Sequence, residues 1–311
     1  MQQRRIGALE VSLVGLGCNN FGRRIDAAAT ERVVHAALDA GITLFDTADV
    51  YSAGRSEQLL GAALAGRRDQ AVIATKFGME LDERRRGAHP DYVRSACDDS
   101  LRRLDVNHID LYQLHRPDPE VPIEETLGAL GELVEAGKVR AIGHSNLEPA
   151  QMDAAEAAAQ TASRPRFESA QEEWSLLERG FEDAKLAAVQ RNRLAVLPYF
   201  PLASGLLTGK YRSGVEPDPA WRIASRPPER RATELAPERL ATVERLRRFA
   251  EDRGRSLLEL AMSWLAAKPV VASVIAGATT VEQVEANVAA ARWDLTEEEL
   301  AEIDRLTAGG G

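Results

Sequence analysis

The chain is short of cysteine. Cys18 and Cys97 are the two in 311 residues, too few for a disulfide framework. Both are expected reduced and in the core, as in a cytoplasmic protein. Excess positive charge is missing too. The formal net charge is −9, so the broad basic face of a non-specific nucleic-acid binder is not expected. A local basic pocket remains compatible with that balance. No apolar run approaches the roughly 18 residues of a membrane span, so no membrane partner is expected. The opening MQQRRIGALEV has no long apolar segment of the signal-peptide kind, and no leader is expected. The first β-rich run carries only GLGCNNFG (15–22), whose spacing is not the dinucleotide fingerprint G-x-G-x-x-G. No linker or compositional break divides the chain, so one domain over 1–311 is expected.

What is present is alternation. Apolar content of 44% and charged content of 28% suit a globular protein with a sizeable core. Short β-rich runs at 11–17, 42–47, 71–76, 108–115, 139–145, 166–171, 194–200 and 270–277 are each followed by a helical pattern. The first helix, near 28–40, is expected to open after Thr30 and stop at Gly41. Another is expected near 179–192, and more near 236–267. The tail TEEELAEIDRL opens with Thr296 three residues before Glu299, a capping box. Strands alternating with helices imply parallel pairing, because each return needs a crossover. Eight such units favour a closed (β/α)₈ barrel over an open doubly wound sheet. The first ten residues read as a small hairpin ahead of the barrel. Residues 203–235, rich in Pro, Arg and Gly, read as a loop over one face.

A barrel of this kind gathers function at the C-terminal ends of its strands. The second run ends in Asp46, the third in Lys76 and the fourth in His115. The fifth ends in His144, Ser145 and Asn146, the sixth in Gln171, the seventh in Tyr199. Tyr51 follows Asp46 by five residues. Each alone has an ordinary structural use: an acid caps a turn, a lysine snorkels, a histidine packs. Together, on neighbouring strands, they make a proton-transfer group. A free phenol has a pKa of about 10. A cation about 4 Å away, at an effective dielectric of about 20, is worth about 4 kcal/mol, or roughly three pKa units. Lys76 is therefore expected to bring Tyr51 toward neutrality, where a general acid works best. Asp46 would keep Lys76 charged, and His115 would hold the oxygen being protonated. Such a donor suits a carbonyl oxygen that gains charge as its carbon accepts hydride.

The segments DTADVYSAGRSE, ATKFG, HIDLYQLHRPD, GKVRAIGHSN, SAQEEWSLLER, LPYFPLASGLLTGKYR and AGATTVEQVEANV, with GLGCNNFG, occur in an order and spacing that resemble the aldo-keto reductases along almost the whole chain. The resemblance implies a (β/α)₈ barrel, a nicotinamide cofactor, usually NADP(H), and no metal. It places the catalytic tetrad on Asp46, Tyr51, Lys76 and His115. It assigns Ser145, Asn146 and Gln171 to the nicotinamide carboxamide and Tyr199 to stacking on the ring. It gives Leu202, Ser204 and Lys210 to the pyrophosphate, and Ala278, Thr279, Gln283 and Asn287 to the adenosine phosphate. A helix N-terminus there suits phosphate, although Thr279 and Thr280 also read as a plain cap.

Departures from the family pattern accompany the match. Gly277 and Gln283 stand where some members have lysine and arginine, so charge for a 2′-phosphate would come from Lys210 and Arg222. NADP(H) is the first choice on this reading and NAD(H) the alternative. Phe21, Trp174 and Arg116 are expected at the substrate pocket, Trp174 as an aromatic wall. Arg116 either meets an anionic substrate or faces solvent, and His144 either faces substrate or is packed. The activity implied is reduction of a small-molecule aldehyde or ketone to an alcohol. The alternative is a cofactor-binding regulatory subunit that docks on a channel and turns over slowly. Oligomeric state is not readable.

Overall fold

Where the sequence has a hairpin and eight β-rich runs, the computed structural model has a two-stranded ribbon and a closed ring; it describes residues 1–162 and 164–308. The ribbon is β1 (Gln3–Ile6) paired antiparallel with β2 (Leu9–Ser12). The ring follows as β3 (Val14–Gly17), β4 (Leu44–Asp46), β5 (Val72–Phe77), β6 (Ile109–Leu114), β7 (Val139–Ser145), β8 (Phe167–Glu173), β9 (Ala195–Tyr199) and β10 (Val274–Gly277). All neighbours are parallel, and β10 pairs with both β9 and β3 to close the barrel.

The expected single run 11–17 is two strands. Ser12 turns the chain: its N–H donates to Thr43 Oγ1 at 2.8 Å, and its hydroxyl donates to the Val14 carbonyl at 2.7 Å. The hairpin therefore reaches Ser12 rather than residue 10. Its Ile6 and Val11 are fully buried against Leu44, Ala74, Leu111, Ala141, Leu197 and Ala272 at the N-terminal end of the barrel. The Arg4 guanidinium donates to the carbonyls of Ala266, Lys268 and Val271 and fixes the ribbon there.

Helices return the chain outside the ring: α1 (Ala27–Asp39), α2 (Arg55–Ala63), α3 (Pro90–Leu104), α4 (Ile123–Glu135), α5 (Pro149–Ala162) and α6 (Ala184–Arg191). The α1 cap is Asp26, whose carboxylate accepts the Ala29 N–H at 2.9 Å; Thr30 lies inside, its hydroxyl bonded back to the Asp26 carbonyl. Thr30 is thus not the opening residue. A side chain that bonds i−4 from within a helix looks the same in sequence as one that caps it. Pro90 sits in the first turn of α3, where no N–H is needed.

The segment after β9 is more ordered than a loop. It has a short 3₁₀ turn at Ala203–Thr208 and then α7 (Pro228–Glu234). Next come α8 (Pro237–Glu251), α9 (Leu257–Ala266), α10 (Val281–Ala290) and α11 (Glu297–Thr307). Both α9 and α11 carry capping boxes, Ser256–Glu259 and Thr296–Glu299. Among the described residues, no helix is long and apolar enough to cross a membrane.

Candidate active site

The strand ends converge on one cleft of about 1000 Å³ at the C-terminal mouth of the barrel. Asp46 closes β4 and pairs in register with Ala74, so it stands beside β5, which carries Lys76 one residue before its end. Lys76 is fully buried behind the cleft wall. Its ammonium donates to both Asp46 oxygens, at 2.8 and 2.7 Å, and to the Thr47 carbonyl at 2.8 Å. Burial works against this charge, but Asp46 and then Tyr51 outweigh it and hold the Lys76 pKa above its ordinary value.

Tyr51 lies across the same ammonium, with Lys76 Nζ 5.3 Å from its ring centre. Its hydroxyl was expected to be brought toward neutrality. The structure corrects this: burial raises the phenol, Lys76 opposes, Asp46 raises it further, and the net direction is up. A charge count alone omits the desolvation that comes with the phenol's own burial. Tyr51 opens an unusual turn. Ser52, Ala53 and Gly54 follow with φ of 51°, 53° and 85°, two of them non-glycine residues in the left-handed region. Such a turn persists only when its surroundings hold it. Here the Ser52 hydroxyl donates to the Phe21 carbonyl at 2.9 Å.

His115 follows β6 and meets Tyr51 edge to face, ring centres 6.0 Å apart. Burial first, then Lys76 and Arg116, push its pKa down to about 3, so it is neutral at physiological pH. Its Nδ1 is buried without a partner.

Gln171 of β8 reaches across the barrel, and its amide donates to Asp46 Oδ1 at 2.8 Å. Gln113 of β6, fully buried, donates to the same oxygen at 3.4 Å. Gln113 was not singled out from sequence. The available signal was one amide among the apolar residues of IDLYQL.

Asn146, at φ 62°, donates to Ser145 Oγ and the His115 carbonyl, and its Oδ1 accepts the Tyr199 hydroxyl at 3.0 Å. The Asn146 N–H is held by Glu172, a buried acid whose pKa burial pushes up to about 7. Ser145, Asn146, Gln171, Tyr199, Leu202, Ser204, Lys210, Arg222, Thr279, Gln283 and Asn287 all line the cleft. Thr280 caps α10, while the Thr279 N–H and hydroxyl both donate to Gln283 Oε1.

Three expected residues lie elsewhere. Ala278 is buried off the cleft. Phe21 is fully buried, and the cleft wall does not include its ring. Trp174 is core: it packs on Phe181 and Trp264, and its indole N–H donates to Glu182 at 2.9 Å. His144 is packed, fully buried against Phe167 with both ring nitrogens unpartnered. Arg116 does line the cleft.

The cleft is basic although the chain is acidic. Among the described residues its wall carries Arg23, Arg24, Arg116, Lys210, Arg222, Arg226 and Arg230 against Asp46 and Glu173. Arg222 lies 5.2 Å from the Phe200 ring centre; burial, then Arg226, Arg24 and Arg23, lower its pKa to about 10. Like charges crowded into a cleft favour an anionic occupant.

Comparison with known proteins agrees with this geometry. Residues 13–308 match the Aldo/keto reductase family. The chain is 35% identical to "Aldo-keto reductase YhdN" of Bacillus subtilis (strain 168), over 96% of this chain and 90% of that protein. It is also 35% identical to "Probable aldo-keto reductase 1" of Glycine max, over 94% of this chain and 85% of that one. The solved structure of the glycerol dehydrogenase AKR11B4 from Gluconobacter oxydans superposes with a TM-score of 0.84 at 33% identity, covering 98% of this chain and 95% of that one. The chain belongs to the aldo/keto reductase family and is an NAD(P)H-dependent oxidoreductase.

Proposed function

We propose that the protein reduces an aldehyde or ketone to an alcohol, with NADPH as reductant and Tyr51 as general acid. The observation that carries this reading is the meeting of Tyr51, Lys76, Asp46 and His115 at the mouth of one basic cleft. When bound, the reduced nicotinamide supplies hydride to the carbonyl carbon. Tyr51 gives its proton to the carbonyl oxygen and is reprotonated from solvent. A phenol held above its ordinary pKa stays protonated at neutral pH, so the donor is ready in each cycle. The Lys76 charge then stabilises the phenolate left behind. Neutral His115 orients the substrate oxygen.

The chain has a fitting place for the cofactor. Ser145, Asn146 and Gln171 offer polar groups on one wall, Tyr199 an aromatic face, and Lys210 and Arg222 the charge for phosphates. The basic cleft favours NADP(H), with NAD(H) as the alternative. Both curated relatives are named as reductases, which favours an enzyme over a channel subunit. Two buried free thiols suit a reducing compartment such as the cytoplasm.

The test is NADPH consumption with 4-nitrobenzaldehyde. Tyr51→Phe should lower turnover by about 10²–10⁴-fold while NADPH binding stays near wild type. Undiminished turnover would remove Tyr51 from the donor role.

A further inference from the structure

The ring order separates two walls of the cleft. β6 lies four strands from β10 in either direction around the barrel. Thr279, Gln283 and Asn287 follow β10, and Lys210 and Arg222 follow β9. His115 and Arg116 follow β6, on the opposite wall. The cations assigned above to the cofactor phosphates therefore come from a different loop from the one that carries Arg116, which follows the strand opposite β10.

Arg116 is exposed and lines the cleft, and among the described residues its guanidinium has no ion-pair partner. The acids near it are committed. Asp118 accepts the Ala88 N–H at 2.8 Å and the Glu120 N–H at 2.9 Å. Glu173, the cleft acid at the end of β8 two strands along the ring, faces Arg239 and Arg230. Arg116 is close enough to act electrostatically on both His115 and Tyr199, which places its charge beside the proton donor's partner. A planar cation at that position offers paired donors to a carboxylate or phosphate.

We propose that Arg116 is a substrate-recognition residue, and that the carbonyl compound reduced at Tyr51 carries an anionic group, a carboxylate or a phosphate, remote from its carbonyl. This rests on the reductase reading of the same site. The neutral rings of Tyr51 and His115 hold the carbonyl end, and the Arg116 charge selects the other end.

The test compares near-isosteric substrate pairs in one enzyme, so that overall changes in turnover cancel. The full chain is assayed with NADPH on 4-carboxybenzaldehyde against 4-nitrobenzaldehyde, and on glyceraldehyde 3-phosphate against glyceraldehyde. Arg116→Gln should lower the kcat/KM ratio of anionic to neutral substrate about five-fold, through KM for the anion. Arg116→Lys should restore most of the ratio, and Arg116→Glu should lower it further. The pair that responds identifies carboxylate or phosphate as the group recognised. In the wild type, benzoate should inhibit more tightly than benzamide, and added salt should narrow the gap. Ratios unmoved by Arg116→Gln in both pairs, or equal inhibition by benzoate and benzamide, would overturn the proposal. No NADPH consumption with any of the four aldehydes would overturn the reductase reading beneath it, and this inference with it.

Discussion

Lys76 and Asp46 form a closed pair: two ammonium protons go to the two carboxylate oxygens, and the third goes to the Thr47 carbonyl. With its donors so committed, Lys76 influences Tyr51 more by charge than by a further hydrogen bond. The pair is also a structural liability. Its side chains are 0% and 5% exposed, so neither charge can be solvated if the other is removed.

Lys76→Met should therefore act on two quantities. Turnover should fall by about 10²-fold or more, because the phenolate loses its counter-charge. Stability should fall by about 3–5 kcal/mol, because Asp46 is left buried and unpaired. Adding Asp46→Asn to Lys76→Met should recover part of the stability and none of the turnover. Denaturant unfolding and steady-state kinetics on Lys76→Met, Asp46→Asn and the double variant check this; additive stability losses would show that the pair is not coupled.

Asp49 supplies a pH dependence. It is 1% exposed, one oxygen has no partner, and the other accepts only a long bond of 3.4 Å from Tyr92. Burial first, then Glu57, raise its pKa from 3.8 to about 7, with Arg103 opposing. Between those values the folded chain keeps a proton that the unfolded chain releases. Stability from this group is thus lost as pH rises from about 4 to about 7, and the penalty is complete above that window. Asp49→Asn removes the penalty. Its advantage over wild type should grow by about 3 kcal/mol between about pH 5 and about pH 8, read by denaturant unfolding. A constant difference across that range would show that Asp49 does not titrate in the window.

The crowded guanidinium of Arg222 bears on cofactor choice. Its neighbours Arg226, Arg24 and Arg23 repel it, and an anion among them relieves that repulsion. Arg222→Ala should weaken NADPH binding about ten-fold and NADH binding much less, with a shallower salt dependence for NADPH. Fluorescence titration with both nucleotides reads the difference. Equal loss for the two would place Arg222 away from the 2′-phosphate.

The barrel was legible because each strand is a short apolar run with a polar terminus, and Asp46, Lys76, His115 and Gln171 mark those termini in sequence. The break at Ser12–Leu13 was not. Val11 belongs to the core at the barrel floor and Val14 to the core shared with the outer helices, both fully buried, and the one polar residue between them, Ser12, is fully buried as well and does not read as a break. The helix at 228–234 was hidden for the opposite reason: it buries no residue, so no apolar stripe announces it. Phe21 and Trp174 show a different limit. A motif position says that an aromatic is required but not which way its ring turns, and both rings turn inward here. The direction of the Tyr51 shift failed for a related reason, since opposing charges can be counted in a sequence and desolvation cannot.

The ribbon wedged under the barrel has a consequence for traffic. With Ile6 and Val11 plugging the floor, the molecule is a cup and not a tube. On the proposed function, reactant, product and nucleotide would share that single rim, so each turnover becomes a queue at one doorway.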